Sequence, residues 1–262
     1  MEYKKNKIAV LVISCDKYSD LWEPCTKMFN KFWPDCHYDK FLVSNFTEYN
    51  KDGFNNILIG QDKSWSHGLI IALKRLKSQY EYVFTMVEDY FFIEKIDNTF
   101  ITRMFNSFIE KNGNFLSLFK LPSKLKMINE YFGELENNIP YRQSVGFTLW
   151  NINTLIEILD ENENAWEFEK NGVVRGFQYD NFFGSYKNYN VLNLVVKGKV
   201  VPKNYALFKS FFPSIKIDRP KMSREDLLIQ KVRDYFITFF LFYTPSRIKK
   251  AIYFSKKIDF NQ

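Results

Sequence analysis

The chain has 262 residues, enough for one large buried core, and its 46% hydrophobic and 19% aromatic content excludes a disordered polymer. A formal charge of +7 at pH 7 admits a phosphorylated substrate, an anionic membrane surface or a nucleic acid as partner, and ranks none of them. Cys15, Cys25 and Cys36 are odd in number and never fall at CxxC spacing, which supports neither a zinc site nor a disulfide framework and fits a reducing compartment.

Residues 8–13, IAVLVI, are continuously apolar, as in a strand covered on both faces of a parallel sheet. Lys4, Lys5 and Lys7 precede the run in the manner of a signal peptide, but it is too short for an h-region and is read as a first strand. No stretch reaches the ~18–20 consecutive apolar residues of a membrane span. The turn 14–19, SCDKYS, follows at the strand's carboxyl edge, where Asp16 either accepts hydrogen bonds from a base or ribose or caps the turn. An amphipathic helix over 21–32 stops at Trp33-Pro34, and short strands follow at 40–44 and 56–59. Ser64 or Ser66 caps a helix over 68–76. Its free N–H groups either face a nucleotide or belong to an ordinary capped helix with Trp65 in the core. His67 has no partner at ligand spacing and is read as a packed or surface imidazole.

The stretch 80–93, YEYVFTMVEDYFFI, organises the rest. Its apolar run 83–87 reads as a buried strand that stops at Glu88 and Asp89. Two carboxylates buried unpaired there would cost roughly several kcal/mol, so a cation is expected to meet them. In an open α/β sheet the carboxyl edge is where ligands bind. The pair is therefore read as holding a sugar nucleotide, directly or through a metal; the alternative is a surface turn that carries two acids.

A helix over 100–111, capped by Asp97-Asn98-Thr99, and strands over 115–119 and 143–150 follow, with a helix over 153–159. The polar segment 121–140 is expected to be a loop beside the site, long enough to be a lid. The acid-rich segment 160–170, DENENAWEFEK, is expected to be a helix whose aromatics anchor it and aim one carboxylate at the cleft. Glu169 is the first choice for a base that takes a proton from an incoming hydroxyl, Glu167 the second and Asp180 a third. The alternatives are a solvated acidic helix with Trp166 in the core, and a helix cap at Asp180. A strand over 191–196 leads into Lys197-Gly198-Lys199 and Pro202-Lys203-Asn204, whose lysines either neutralise a diphosphate leaving group or decorate a hairpin. Ser223 opens a helix that continues through 235–243, YFITFFLFY. Arg247, Lys249, Lys250, Lys256 and Lys257 follow among large apolar residues, a pattern that suits an anionic leaflet; packing on the domain or on a second subunit is the alternative.

The order of these features resembles the GT-A glycosyltransferases of bacterial capsule and lipopolysaccharide biosynthesis. The resemblance covers most of residues 7–204 and rests on IAVLVISCDKY, SWSHGLIIALKRL, TMVEDYFF, QSVGFTLWN and NAWEFE. It implies an α/β fold with a Rossmann-related mixed sheet flanked by helices, a catalytic domain over 1–206 and a basic, aromatic helical extension over 207–262. It further implies that Asp89 ligates a divalent metal, Mn2+ or Mg2+, with Glu88 as its partner. By the same resemblance Ser14 and Asp16 would line the nucleotide pocket and Glu169 or Glu167 would be the acceptor-side base; the residues themselves add Ser64 and Ser66 for the nucleotide sugar and Lys199 and Lys203 for its diphosphate. The chain departs from many metal-dependent members in having no histidine after His67. Either water and the diphosphate complete the metal shell, or Lys199 and Lys203 replace the metal.

The expected function is transfer of a hexose from a nucleoside diphosphate sugar, with UDP as the first choice, to a lipid-linked glycan, with inversion, at the inner face of a bacterial cytoplasmic membrane. A homo-oligomer is compatible with the tail, and nucleic acid is not an expected partner, since no recognition motif accompanies the basic residues. A sugar nucleotidyltransferase would carry a glycine-rich loop after the first strand, and SCDKYSD has no glycine. A glycoside hydrolase would need no nucleotide, and a non-catalytic membrane-surface or glycan-binding module would hydrolyse no sugar nucleotide.

Overall fold

The computed structural model describes residues 7–119, 125–137, 139, 142–244 and 248. The chain begins with β1 (Ile8–Ile13), a 3-10 segment Asp16–Leu21, α1 (Trp22–Phe32), β2 (Asp39–Ser44), β3 (Phe54–Leu58) and α2 (Trp65–Leu76). It continues through β4 (Tyr82–Val87), β5 (Tyr90–Phe92), α3 (Asn98–Glu110), β6 (Phe115–Ser117), β7 (Lys126–Met127), β8 (Phe132–Glu134) and β9 (Thr148–Asn151). Next come α4 (Ile152–Ile158), α5 (Ala165–Arg175), β10 (Phe182–Ser185), β11 (Val191–Asn193), β12 (Val195–Val196) and β13 (Lys199–Val200). Helices α6 (Pro202–Phe211) and α7 (Arg224–Thr238) follow, the latter prolonged by a π-helical turn Phe239–Tyr243.

Among the described residues nine strands form one mixed sheet in the order β3-β2-β1-β4-β9-β6-β10-β8-β7. The first four are parallel; β9 runs against both β4 and β6. Alternation along β1 shows why its sequence is apolar throughout. Val10 and Val12 enter one core with Trp22 and Phe29 of α1 and Phe105 of α3, while Ala9 and Leu11 enter the other with Leu69 and Leu73 of α2 and Leu155 of α4. The protein is thus α/β, with a large mixed sheet flanked by helices on both faces. No helix among the described residues is long and apolar enough to cross a membrane.

Several boundaries differ from expectation, each for a local reason. The segment 121–140, expected as a loop, carries β7 and β8, which extend the far edge of the sheet by pairing with each other and with β10; residues 120–124, 138 and 140 lie outside the described residues. The strand expected over 143–150 is shortened to β9, and the chain ahead of it is held by the segment between α5 and β10. There the buried Arg142 guanidinium donates to the carbonyls of Gly176 and Tyr179 and lies 4.0 Å from the Phe182 ring centre. The run 191–196 divides into β11 and β12, which pair with different partners. Strand β10, ahead of which Asp180 sits, and helix α6 were not anticipated. The boundary expected between 206 and 207 falls inside α6, whose Phe208 is fully buried in the core, and chain as late as Ile217 and Met222 is also buried. Arg247, Lys249, Lys250, Lys256 and Lys257 lie outside the described residues.

Candidate active site

Because β1 to β4 are parallel, their carboxyl ends open on the same edge of the sheet. The register sets Ile13 opposite Val87, so the residues that follow, Ser14 and Glu88, emerge side by side. They line a cleft of about 760 Å³ that is also bounded by Cys15, Asn45, Asp89, the first turn of α2, α5 and the β12–β13 turn. Helix α2 closes in on β3 because residue 68 is glycine: a Cβ there would stand 2.7 Å from Ile59 Cδ1 and 3.0 Å from Asp62 Oδ2.

Glu88 is only 8% exposed, and its carboxylate is hydrogen-bonded by the Ser14 hydroxyl, which in turn accepts from the Trp22 indole N–H at 2.8 Å. Burial, and then the adjacent Asp89 charge, push its pKa well above the ordinary carboxylate range; burial does the same to Asp89. The field of Arg219 lowers both. Arg219 is itself forked onto Asp20, with both contacts at 2.7 Å, and its guanidinium lies 4.4 Å from the Tyr18 ring centre. The cation expected beside the pair is therefore present as a neighbouring field, while the pair itself remains under-neutralised. Its position was not legible in the sequence: Arg219 comes from an irregular segment after α6.

On the other wall, Asn164 caps α5 through a capping box in which the Glu167 side chain accepts from the Asn164 N–H at 2.9 Å. Glu167 is thereby turned outward, whereas Glu169 lines the cleft and burial pushes its pKa up to about 7. Phe168 is the aromatic that anchors the helix; Trp166, expected as core in the alternative reading, is 65% exposed and lines the cleft mouth. Arg233 of α7 lies 5.6 Å from its ring centre. The acid-rich loop before α5 is tied to α2: the Ser64 hydroxyl donates to the Glu161 carbonyl at 2.6 Å, and the Ser66 N–H donates to the Glu163 carbonyl at 3.1 Å.

The other residues singled out by sequence divide between the cleft and its supports. Ser64 lines the cleft and caps α2, accepting from the His67 N–H at 3.0 Å. Ser66 is fully buried behind it. Asp16 binds the neighbouring loop, accepting from the N–H groups of Asn45, Phe46 and Thr47 and from the Thr47 hydroxyl at 2.8–3.1 Å. Those donors outweigh the burial that would raise its pKa and hold it low. Lys199 is paired with Asp226 of α7 at 2.8 Å, and Lys203 is exposed at the start of α6; neither lines the cleft. From this hairpin it is Lys197 that does, at the tip of the β12–β13 turn, where Lys197 and Gly198 both take left-handed φ (50° and 76°). Lys17, Lys63 and Arg233 join it in the lining, with Lys63 3.6 Å from Glu161. The Lys-Gly dipeptide signals such a turn in sequence, but only the hairpin's attachment decides which lysine reaches the cleft.

Among the described residues no group of three or more His, Cys, Asp or Glu side chains is placed to hold a metal ion. The Glu88–Asp89 pair is a hard, two-carboxylate set whose raised proton affinity a cation would relieve. It fits a magnesium-like or manganese-like ion that keeps water and substrate phosphate in its shell.

No protein-family model matches the chain and no curated protein matches it. Solved structures do. S. aureus TarS is 12% identical with a TM-score of 0.44, over 91% of this chain and 46% of its own, so this chain spans about half its length. A UTP-bound UGPase from Acinetobacter baumannii is 9% identical with a TM-score of 0.50, over 87% of this chain and 98% of its own. A197 from STIV is 14% identical with a TM-score of 0.40, over 74% of this chain and 87% of its own. The likeness to the UTP-bound UGPase is one of fold alone: an α/β protein with a large mixed sheet flanked by helices.

Proposed function

We propose that the protein is a glycosyltransferase that moves a hexose from a nucleoside diphosphate sugar to a hydroxyl of a lipid-linked glycan, of the kind used to build bacterial surface polysaccharide, with inversion. The observation that carries this reading is the meeting, in one cleft, of a desolvated acid pair at the carboxyl ends of parallel strands and a second desolvated acid, Glu169, beside an exposed tryptophan.

Glu88 and Asp89 would hold a divalent cation, which when bound neutralises charge on the departing diphosphate. Ser14 orients Glu88. Lys197 and Lys17 replace Lys199 and Lys203 as the cleft's own cations for that leaving group. The acceptor sugar stacks on Trp166, and Glu169, with its pKa near neutrality, takes the proton from the attacking hydroxyl. Helix α7 exposes Leu228, Ile229, Val232, Tyr235 and Phe236, and the sequence beyond it carries Arg247, Lys249, Lys250, Lys256 and Lys257. That combination suits an anionic leaflet at the inner face of the cytoplasmic membrane, where a lipid-linked acceptor resides.

The test is thermal stabilisation by UDP-, GDP-, CMP- and dTDP-sugars with and without Mn2+, followed by product analysis. A specific donor at ~100 times its Kd should add ~2.7 kcal/mol of stability. A donor that stabilises Asp89→Ala as strongly as the wild type, with no dependence on the metal, removes the acid-pair assignment. The UTP-bound fold neighbour favours a second reading, a nucleotidyltransferase. That reading predicts pyrophosphate release from a nucleoside triphosphate, and the glycine-free turn after β1 speaks against it.

A further inference from the structure

The floor of the cleft holds a neutral polar pair outside the roles described above. Strands β5 and β11 pair antiparallel with Tyr90 opposite Asn193, and Asn193 Nδ2 donates to Tyr90 Oη at 3.1 Å. Both residues line the cleft. Their backbones are held on either side: the Leu194 N–H donates to the Asp89 carbonyl at 2.8 Å, and Asn204 Nδ2 donates to the Asn193 carbonyl at 2.6 Å. Since Oη accepts the amide proton, the phenol keeps its own proton to donate. Asn193 Oδ1 is buried with no hydrogen-bond partner among the described residues. A half-turn of the amide would offer this oxygen to Tyr90 and leave Oη free to accept, so the pair can answer either polarity of a hydroxyl.

We infer that Tyr90, oriented by Asn193, hydrogen-bonds a hydroxyl of the donor hexose and so helps to set which sugar is transferred. This rests on the glycosyltransferase reading. If the diphosphate lies at Glu88–Asp89 and the acceptor at Glu169–Trp166, the hexose must bridge them, and Tyr90 lines the same cleft as both pairs. An uncharged, hydroxylated ring matches a neutral donor better than it matches the charged groups on either side. Phe119 also lines the cleft and meets the Tyr90 ring edge-on, centroids 6.4 Å apart, giving an apolar wall for a sugar's C–H face. A site that hydrogen-bonds a substrate hydroxyl discriminates strongly against an analogue that cannot pair with it.

Calorimetry on the full chain with Mn2+ tests this. It compares UDP-, GDP-, CMP- and dTDP-sugars with their free nucleotides, for the wild type, Tyr90→Phe and Asn193→Ala. The expected result is a loss of about tenfold or more in Tyr90→Phe affinity for the sugar nucleotide that the wild type binds, and about threefold in Asn193→Ala, with the free nucleotide held within about twofold. Equal losses for both ligands, or none for either, overturn the assignment and leave the glycosyltransferase reading standing. A wild-type protein that binds no member of the panel overturns that reading and this one together. Should the Tyr90→Phe protein melt below the assay temperature, the same comparison on Asn193→Ala decides between these outcomes.

Discussion

On one wall of the cleft, Ser14, Glu88 and Asp89 follow strands that are buried on both faces and bonded to parallel neighbours in a register that sets Ile13 against Val87. On the other, Trp166 and Glu169 ride on one helix and Arg233 on another, and α7 touches the rest through an ion pair from Lys199 to Asp226 and the Arg233–Trp166 contact while exposing an apolar stripe. Both walls present carboxylates, yet only on the first is the position of the side chain set by backbone that cannot shift without breaking a sheet. A rigid wall suits a small charged ligand that must be held in one place. A wall of helices suits an acceptor that differs in size and arrives from a surface. Substitutions on the two walls should therefore differ in kind: a pH-independent loss of rate on the first, acceptor affinity and a pH-dependent loss of rate on the second.

The largest expected effect is at Asp89. Removing a charged ligand of the leaving group in Asp89→Ala should lower kcat by about 10^4-fold, a loss of several kcal/mol of transition-state stabilisation, without lowering the melting temperature, because the pair is desolvated. Retained activity would dissolve the contrast between the walls. Glu169→Gln should lower kcat by about 10^2- to 10^3-fold and abolish a rise of kcat/KM with pH centred near 7, the value to which burial brings this carboxyl. The sign for stability is opposite. A folded-state pKa raised above the usual 4.5 means that the folded chain holds more protons than the unfolded one between about 4.5 and 7, so stability falls as pH rises through that window. Glu169→Gln lacks that loss and should melt higher than the wild type at pH 8 but not at pH 4; equal melting at both would place the carboxyl in water.

Lys197→Met should cost about 10- to 10^2-fold in kcat/KM, mostly through the diphosphate, while Lys203→Met leaves it unchanged; the reverse order would restore the lysine expected from sequence. Trp166→Ala should raise KM for the acceptor by up to about tenfold with kcat nearly unchanged, since it removes a stacking surface and no reacting group. The smallest effect is at Asp16. Asp16→Asn loses charge-assisted bonds to the Asn45–Thr47 loop and should destabilise the fold by about 1 kcal/mol in chemical denaturation, with donor Kd unchanged.

The sequence by itself determined the strands β1 and β4, the caps at Asp97 and Ser223 and the presence of Glu88 and Asp89 at a strand end, because each is written in a local pattern: apolar runs, capping residues and an abrupt change of polarity. It also ranked Glu169 ahead of Glu167, with no local pattern to decide between them. Tertiary structure separated them, since the capping box that occupies Glu167 and the cleft that dries Glu169 depend on where α5 lies against α2. The same holds for Lys197 over Lys199, for Arg219 beside the acid pair and for Tyr90 opposite Asn193. Each depends on contacts between segments far apart in the chain, and pairing of that kind leaves no periodicity for a local reading to find.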